Sequence, residues 1–234
     1  MLSFAAAKVH LQPMRLQPLF VAGALAMLAW TAAPGPAPAQ AQTGALELAG
    51  AERAQALARA NAAMNRLRQV EGRFEQTAPD GAESRGQFYL QKPGRVRFAY
   101  APPNPLTIVS DGATVAVEDR ELRSVDRTPL RATPLYFVLQ DSVDLERDAR
   151  VTRMVQDGDQ LLVTLRDRKG EAEGALTLVF AGGRELELRG WRMRDAAGQT
   201  TLVSLADLRP SAQLDPRLFR LEEAKDSTAR RNGR

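Results

Sequence analysis

Between Val70 and Arg209 the chain is cut into short segments by turn residues, and inside the segments apolar and polar side chains alternate. Arg95–Tyr100 is the clearest: Val96, Phe98 and Tyr100 fall on one side, Arg95, Arg97 and Ala99 on the other. A period of two marks a strand with one face buried and one wet. The other segments are Val70–Gln76, Gly86–Gln91, Leu106–Ser110, Thr114–Glu118, Glu121–Asp126, Ala149–Gln156, Gln160–Arg166, Ala175–Ala181, Glu185–Arg194 and Thr200–Arg209. Tight turns such as Asp111-Gly112, Asp157-Gly158-Asp159 and Gly182-Gly183 separate neighbours, which implies antiparallel pairing. About eleven strands are expected, and a sheet that wide should curl.

One long helix precedes them. Leu46–Arg68 is rich in Ala, Leu, Gln, Glu and Arg, with Leu57, Ala60, Met64 and Leu67 on one stripe. Gly72 ends that pattern. Two short helical pieces are expected at Leu135–Leu139, where Thr133-Pro134 offers a cap, and after Asp215-Pro216. The concave apolar face of a curled sheet must be filled or covered, and the stripe and Leu135–Leu139 are the available covers. The fold class expected is mainly β with helices: an unclosed antiparallel half-barrel under a helical lid.

Residues 1–41 read as a secretory signal peptide. They hold Lys8 and Arg15 and no acid, then a 12-residue apolar run from Leu19 to Trp30, then Ala37-Pro38-Ala39-Gln40-Ala41. A membrane-spanning helix needs about 20 residues. Residues 42–223 form the expected domain, and 224–234 a basic disordered tail. Removing 1–41 lowers the formal net charge from +4 to +2. The remaining Arg residues are interspersed with Asp and Glu, whereas a nucleic-acid binder needs a concentrated basic stripe. No nucleic-acid partner is expected.

The chain has no Cys, and its one His, His10, lies in the signal segment. That excludes a Ser-His-Asp triad, a cysteine nucleophile and a disulfide, and leaves no ordinary zinc ligand set. Asp111, Asp157, Asp159 and Asp195 all stand at glycine turns, so the turn accounts for them. No catalytic residue, metal or cofactor is expected. From composition alone, Phe88, Leu90, Val96, Phe98, Tyr100, Ile108, Val115, Val117, Leu176, Leu178 and Phe180 form a solid core or line a cavity.

Several stretches resemble, in order, the LolA family of periplasmic lipoprotein carriers. They are Gly72-Arg73-Phe74-Glu75-Gln76, the run from Ser84 to Tyr100 with its Lys92-Pro93-Gly94, Ile108-Val109-Ser110-Asp111-Gly112, and Asp195-Ala196-Ala197-Gly198-Gln199-Thr200-Thr201. The second is similar to the family block S-x-G-x-F-x-L-x-R-P-G-x-F-R-W-x-Y. The resemblance implies an unclosed barrel of eleven strands whose lidded cavity takes lipoprotein acyl chains. It implies a monomer that receives clients from a LolCDE-type exporter and delivers them to a LolB-type acceptor or to the outer membrane itself. The acyl-binding residues it implies are Met64, Leu67, Phe88, Leu90, Val96, Phe98, Tyr100, Ile108, Val117 and Phe137.

The family latches its lid with an arginine before the proline of that block, and here the position is Lys92. Lys92 departs from a chain in which 28 of the 32 basic residues are Arg. An ammonium has no fixed fork of donors, so a lid held more loosely, or by other contacts, is expected. Val96 and Phe98 replace the family's usual Phe and Trp, and the closing Phe-x-x-x-P-x-G segment lacks its Pro and Gly at Phe219–Glu223. The alternatives are a related half-barrel binder acting as an envelope sensor and, more remotely, a carboxylate-based envelope hydrolase.

Overall fold

The computed structural model describes residues 44–170 and 173–221. The expected signal peptide and basic tail lie outside the described residues.

The elements in chain order are β1 (Leu46–Glu47), α1 (Gly50–Arg66), β2 (Gln69–Thr77), β3 (Glu83–Gln91), β4 (Arg95–Tyr100), β5 (Leu106–Asp111), β6 (Thr114–Asp119) and β7 (Ser124–Pro129). After a 3-10 turn at Leu130–Ala132 come α2 (Tyr136–Leu139), α3 (Leu145–Asp148), β8 (Arg150–Asp157), β9 (Gln160–Arg166), β10 (Ala175–Ala181), β11 (Glu187–Arg194) and β12 (Thr200–Pro210). A second 3-10 turn, Pro216–Phe219, follows.

All twelve strands form one antiparallel sheet in the order β1-β8-β9-β10-β11-β12-β2-β3-β4-β5-β6-β7. The order never closes on itself, so β1 and β7 are free edges. Two meanders, β2 to β7 and β8 to β12, join where β12 pairs with β2. The β7–β8 connection must therefore travel from one side of the sheet to the other. It carries α2 and α3, which, with α1, cover the inner face.

Register decides which side chains face inward. Phe88 lies opposite Phe98, Phe98 opposite Ile108, and Ile108 opposite Val117. In the next inward row Leu90 lies opposite Val96 and Val96 opposite Ser110. The opposite face carries Arg97, Val109 and Ala116 in one row. The Pro216–Phe219 turn covers part of it: Phe219 is buried, and Arg97 Nη1 donates to the Leu218 carbonyl at 3.1 Å. Asp215 caps that turn by accepting from Arg217 N.

α1 buries Ala56, Leu57, Ala60, Ala63 and Met64, which takes in Leu57, Ala60 and Met64 of the expected stripe, while Leu67 is the C-cap and is half-buried. Three of the five are Ala, which lets the helix axis approach the sheet closely. The helix is shorter than the expected Leu46–Arg68. Gly50 adopts φ +52°, which stops the helix from running back, and Leu46–Glu47 instead pairs with β8 as a two-residue edge strand. At its other end α1 stops at Arg66, and Gly72 lies inside β2 rather than terminating the helix.

Two further local expectations are corrected, and one element is added. The strand expected at Glu121–Asp126 is displaced to Ser124–Pro129, because the Asp119 carboxylate accepts from Glu121 N and Leu122 N, both at 2.9 Å, and holds a wider turn. Thr133 does not cap α2; its hydroxyl donates to the Leu130 carbonyl at 2.8 Å and closes the preceding turn. α3 was not anticipated, although Asp144 is an ordinary N-cap that accepts from Glu146 N and Arg147 N.

Gly86 sits where β3 passes under Phe74. A Cβ there would overlap the Ala99 carbonyl oxygen and approach Phe74 Cε1 to 2.8 Å. Gly86→Ala is expected to lower unfolding free energy by about 1–3 kcal/mol in urea titrations. An unchanged midpoint would show that this packing relaxes freely.

Candidate functional site: an apolar cavity under a helical lid

The inner face of the sheet and the lid enclose a cavity of about 20 Å³, room for about one water molecule. Its lining is entirely apolar. Six of the expected residues meet there: Met64, Leu67, Phe88, Leu90, Val96 and Phe98. Tyr100, Ile108, Val117 and Phe137 stand outside the lining. Tyr100 and Phe137 are buried beyond it, and Ile108 and Val117 are half-buried farther out on the inner face.

Seven lining residues were not singled out as site residues. Leu135, Val138 and Leu139 come from the α2 segment, which was expected only as a cover. Leu188 and Trp191 come from β11, and Leu205 and Leu208 from β12. Alternation points to Trp191 and Leu205, but irregular pairing at Val179/Phe180 and between Ala206 and Arg209 hides the direction of Leu188 and Leu208.

Phe98 is the hub of the aromatic packing. Its ring lies 5.1 Å from Phe74, edge to face, 5.1 Å from Phe88, tilted, and 5.9 Å from Trp191, edge to face. Such pairs add about 0.5–1.5 kcal/mol each beyond burial. Phe74 also packs on Tyr100, whose phenol donates to Gln76 Oε1 at 2.7 Å. Burial pushes the Tyr100 phenol well above its ordinary range, and the Gln76 bond offsets part of that.

Polar bonds fasten the lid around this apolar interior. Lys92 Nζ donates to the Met64 carbonyl in the last turn of α1 at 2.8 Å, and Lys92 N donates to the Arg68 carbonyl at 2.8 Å. Two residues on, Gly94 N donates to the Leu139 carbonyl at the end of α2 at 2.7 Å. Gly94 has φ +74°, and a side chain there would meet Gly112 Cα at 2.6 Å. The β3–β4 turn thus grips both lid helices.

The lid is also tied to itself. Asn65 donates to the Val143 carbonyl and accepts from Val143 N, each at 2.8 Å, and Asn61 accepts from Leu145 N. Arg53 pairs with Glu146 at 2.7 Å. Arg68 donates to both the carbonyl and the carboxylate of Asp141. On the far side Arg66 reaches the Leu186 carbonyl at 2.6 Å and Arg59 that of Gly183.

Lys92 is only 8% exposed. Burial, then the nearby Arg68 charge, lower its pKa from 10.5 to about 8, and Asp141 pulls the other way. Asp111, Asp195 and Asp215 bond to backbone N–H groups at turns or caps, as sequence suggested. Among the described residues no group of three or more His, Cys, Asp or Glu could hold a metal ion, and no helix is long and apolar enough to cross a membrane.

Residues 65–222 match the family model described as outer membrane lipoprotein carrier protein LolA. An outer-membrane lipoprotein carrier protein of Chromohalobacter salexigens is 28% identical over 207 residues, 85% of this chain and 92% of that protein. Among solved structures, a LolA superfamily protein from Nitrosomonas europaea is 14% identical, with 72% of this chain and 97% of that chain covered and a TM-score of 0.41. MucB is 16% identical, with 75% and 64% covered and a TM-score of 0.40. Structural likenesses this loose bear on nothing further.

The lysine carries a pH dependence with a definite sign. Between about pH 8 and 10.5 the unfolded chain holds a proton on Lys92 that the folded chain has lost. Its contribution to stability therefore rises with pH across that window. Melting temperature followed from pH 7 to 10.5 should show the wild type gaining on Lys92→Met; Tyr100 titrates in both and cancels. A difference independent of pH contradicts a desolvated lysine.

Proposed function

The chain belongs to the LolA family of outer-membrane lipoprotein carrier proteins, and we propose that it shields lipoprotein acyl chains during their passage across the periplasm. The observation that carries this reading is the combination at one site of a wholly apolar lining and a lid fastened by exchangeable side-chain-to-backbone bonds. No catalytic step enters it.

The physical need is large. Each methylene exposed to water costs about 0.8 kcal/mol, so one chain of ~15 methylenes costs about 12 kcal/mol. A triacylated lipoprotein cannot cross an aqueous space unaided. A carrier must also release its load, so part of the binding energy has to go into opening the protein. A cavity of about 20 Å³ supplies that cost here: the acyl chains fit only when the lid moves.

The residues proposed to meet the acyl chains are Met64, Leu67, Phe88, Leu90, Val96 and Phe98, with Tyr100, Ile108, Val117 and Phe137 reached as the lid opens. Lys92 is the proposed latch. The client comes from a LolCDE-type exporter in the inner membrane and goes to a LolB-type acceptor or directly to the outer membrane.

Gentle purification from the periplasm followed by mass spectrometry should find triacylated lipoprotein bound to the protein, and depletion should strand lipoproteins in the inner membrane. If no acyl ligand copurifies and lipoproteins still reach the outer membrane, the carrier reading is wrong. Bound ligand without stranding would favour an envelope sensor. Lys92→Arg offers the Met64 carbonyl a forked donor, and transfer from the loaded variant to acceptor membranes should be slower than from wild type. Equal rates would remove Lys92 as the latch.

A further inference from the structure

The cavity has one wet side. Eleven of its thirteen lining residues are buried, whereas Leu67 and Leu208 are half-exposed. Leu67 is the C-cap of α1, where the helix runs into β2. Leu208 belongs to β12, the strand that pairs with β2. The two leucines are therefore the lining residues through which the cavity reaches solvent.

Leu208 reaches that position through a local irregularity. Val203 and Leu205 point inward, and plain alternation would send residue 207 inward and 208 outward. Asp207 instead adopts φ +54°, and the pairing slips between Ala206 and Arg209. The extra residue turns Leu208 inward. A left-handed backbone is unusual at a residue other than glycine. Here the Asp207 carboxylate is held outside the sheet by Arg73 on β2. Opposite, Gly72 supplies the space: a Cβ there would meet Leu208 Cδ2 and the Ala206 carbonyl, each at 2.8 Å. Bulge, ion pair and glycine all serve to hold one leucine over the cavity's edge.

We propose that acyl chains enter and leave between Leu67 and Leu208, and that the Asp207 bulge, pinned by Arg73, sets the width of this mouth. The inference rests on the carrier reading. Lid movement supplies the volume, and the corner between α1 and β12 is the route. The acylated end of the client passes inside while its peptide stays among the exposed side chains of Arg66, Arg68 and Arg209.

The chain has no cysteine, so one can be placed at will. Leu208→Cys coupled to a polyethylene glycol maleimide blocks the mouth without filling the cavity. Uptake and release of a fluorescent synthetic triacylated lipopeptide are followed by stopped-flow anisotropy. Relative to the uncoupled Leu208→Cys protein, coupling should slow both rates at least tenfold and by the same factor, so that the ratio of the two rates stays the same, while coupling at Leu122→Cys, on the exposed β6–β7 turn, changes neither rate. Leu208→Ala should speed both rates. If Leu208→Cys does not fold, Leu67→Cys takes its place. Unchanged rates in the coupled protein, or a weaker Kd at unchanged uptake rate, would overturn the mouth while leaving the carrier reading intact. A wild-type protein that binds no lipopeptide would overturn both.

Discussion

Two hydrogen bonds from the Lys92–Gly94 turn hold the lid on the sheet. Lys92 Nζ reaches the end of α1, and Gly94 N reaches the end of α2. The turn that joins β3 to β4 is part of the sheet, so the bonds fix both helices to one rigid point. Without them the lid would be fixed to the sheet side only by the Arg66 and Arg59 bonds at its far edge, and β3 and β4 would lose their tie to the cover. The bonds are individually small, about 1 kcal/mol for a neutral pair and somewhat more for a charged donor. Larger stabilisation comes from the apolar surfaces they bring together.

That division of labour suits a lid. Packing of Met64, Val138 and Leu139 against Phe88, Leu90 and Val96 makes the closed form compact. The polar bonds decide where the lid sits and can be exchanged for water at modest cost. Lys92 adds a tension of its own, because its ammonium is buried beside Arg68 and gains only one bond to the helix. A guanidinium could make more, with charge spread over a plane. The arginine-rich character of the chain makes the lysine at this position a specific departure, and its consequence is a buried ammonium with a built-in desolvation cost.

Much of this was legible from period and turn chemistry. β4 spans the residues its alternation indicated, and so do β9 and β10. α1, α2 and the inward row Phe88, Phe98, Ile108 followed from the same patterns, whereas α3 did not. What escaped was set by geometry outside the local pattern. β1 exists only because Gly50 breaks α1 and an edge of β8 is free to pair. β7 moved because one aspartate widened a turn. Leu188 and Leu208 face the cavity because neighbouring strands slip by a residue, which no single segment reveals. Whether the faces close on solid packing or on a cavity depends on the fit of side chains from six elements, beyond what spacing carries.

The central claim is that loading requires the β3–β4 turn to release the lid. Hydrogen exchange on the protein with and without a triacylated lipopeptide reads this directly. The amide of Gly94, bonded to the Leu139 carbonyl at the end of α2 in the closed form, should lose protection on loading, while the ladder amides of β3 and β4, with Lys92 N on the Arg68 carbonyl among them, keep theirs. Protection at Gly94 unchanged by saturating lipopeptide would mean that ligand binds without opening the lid, and the account would be wrong.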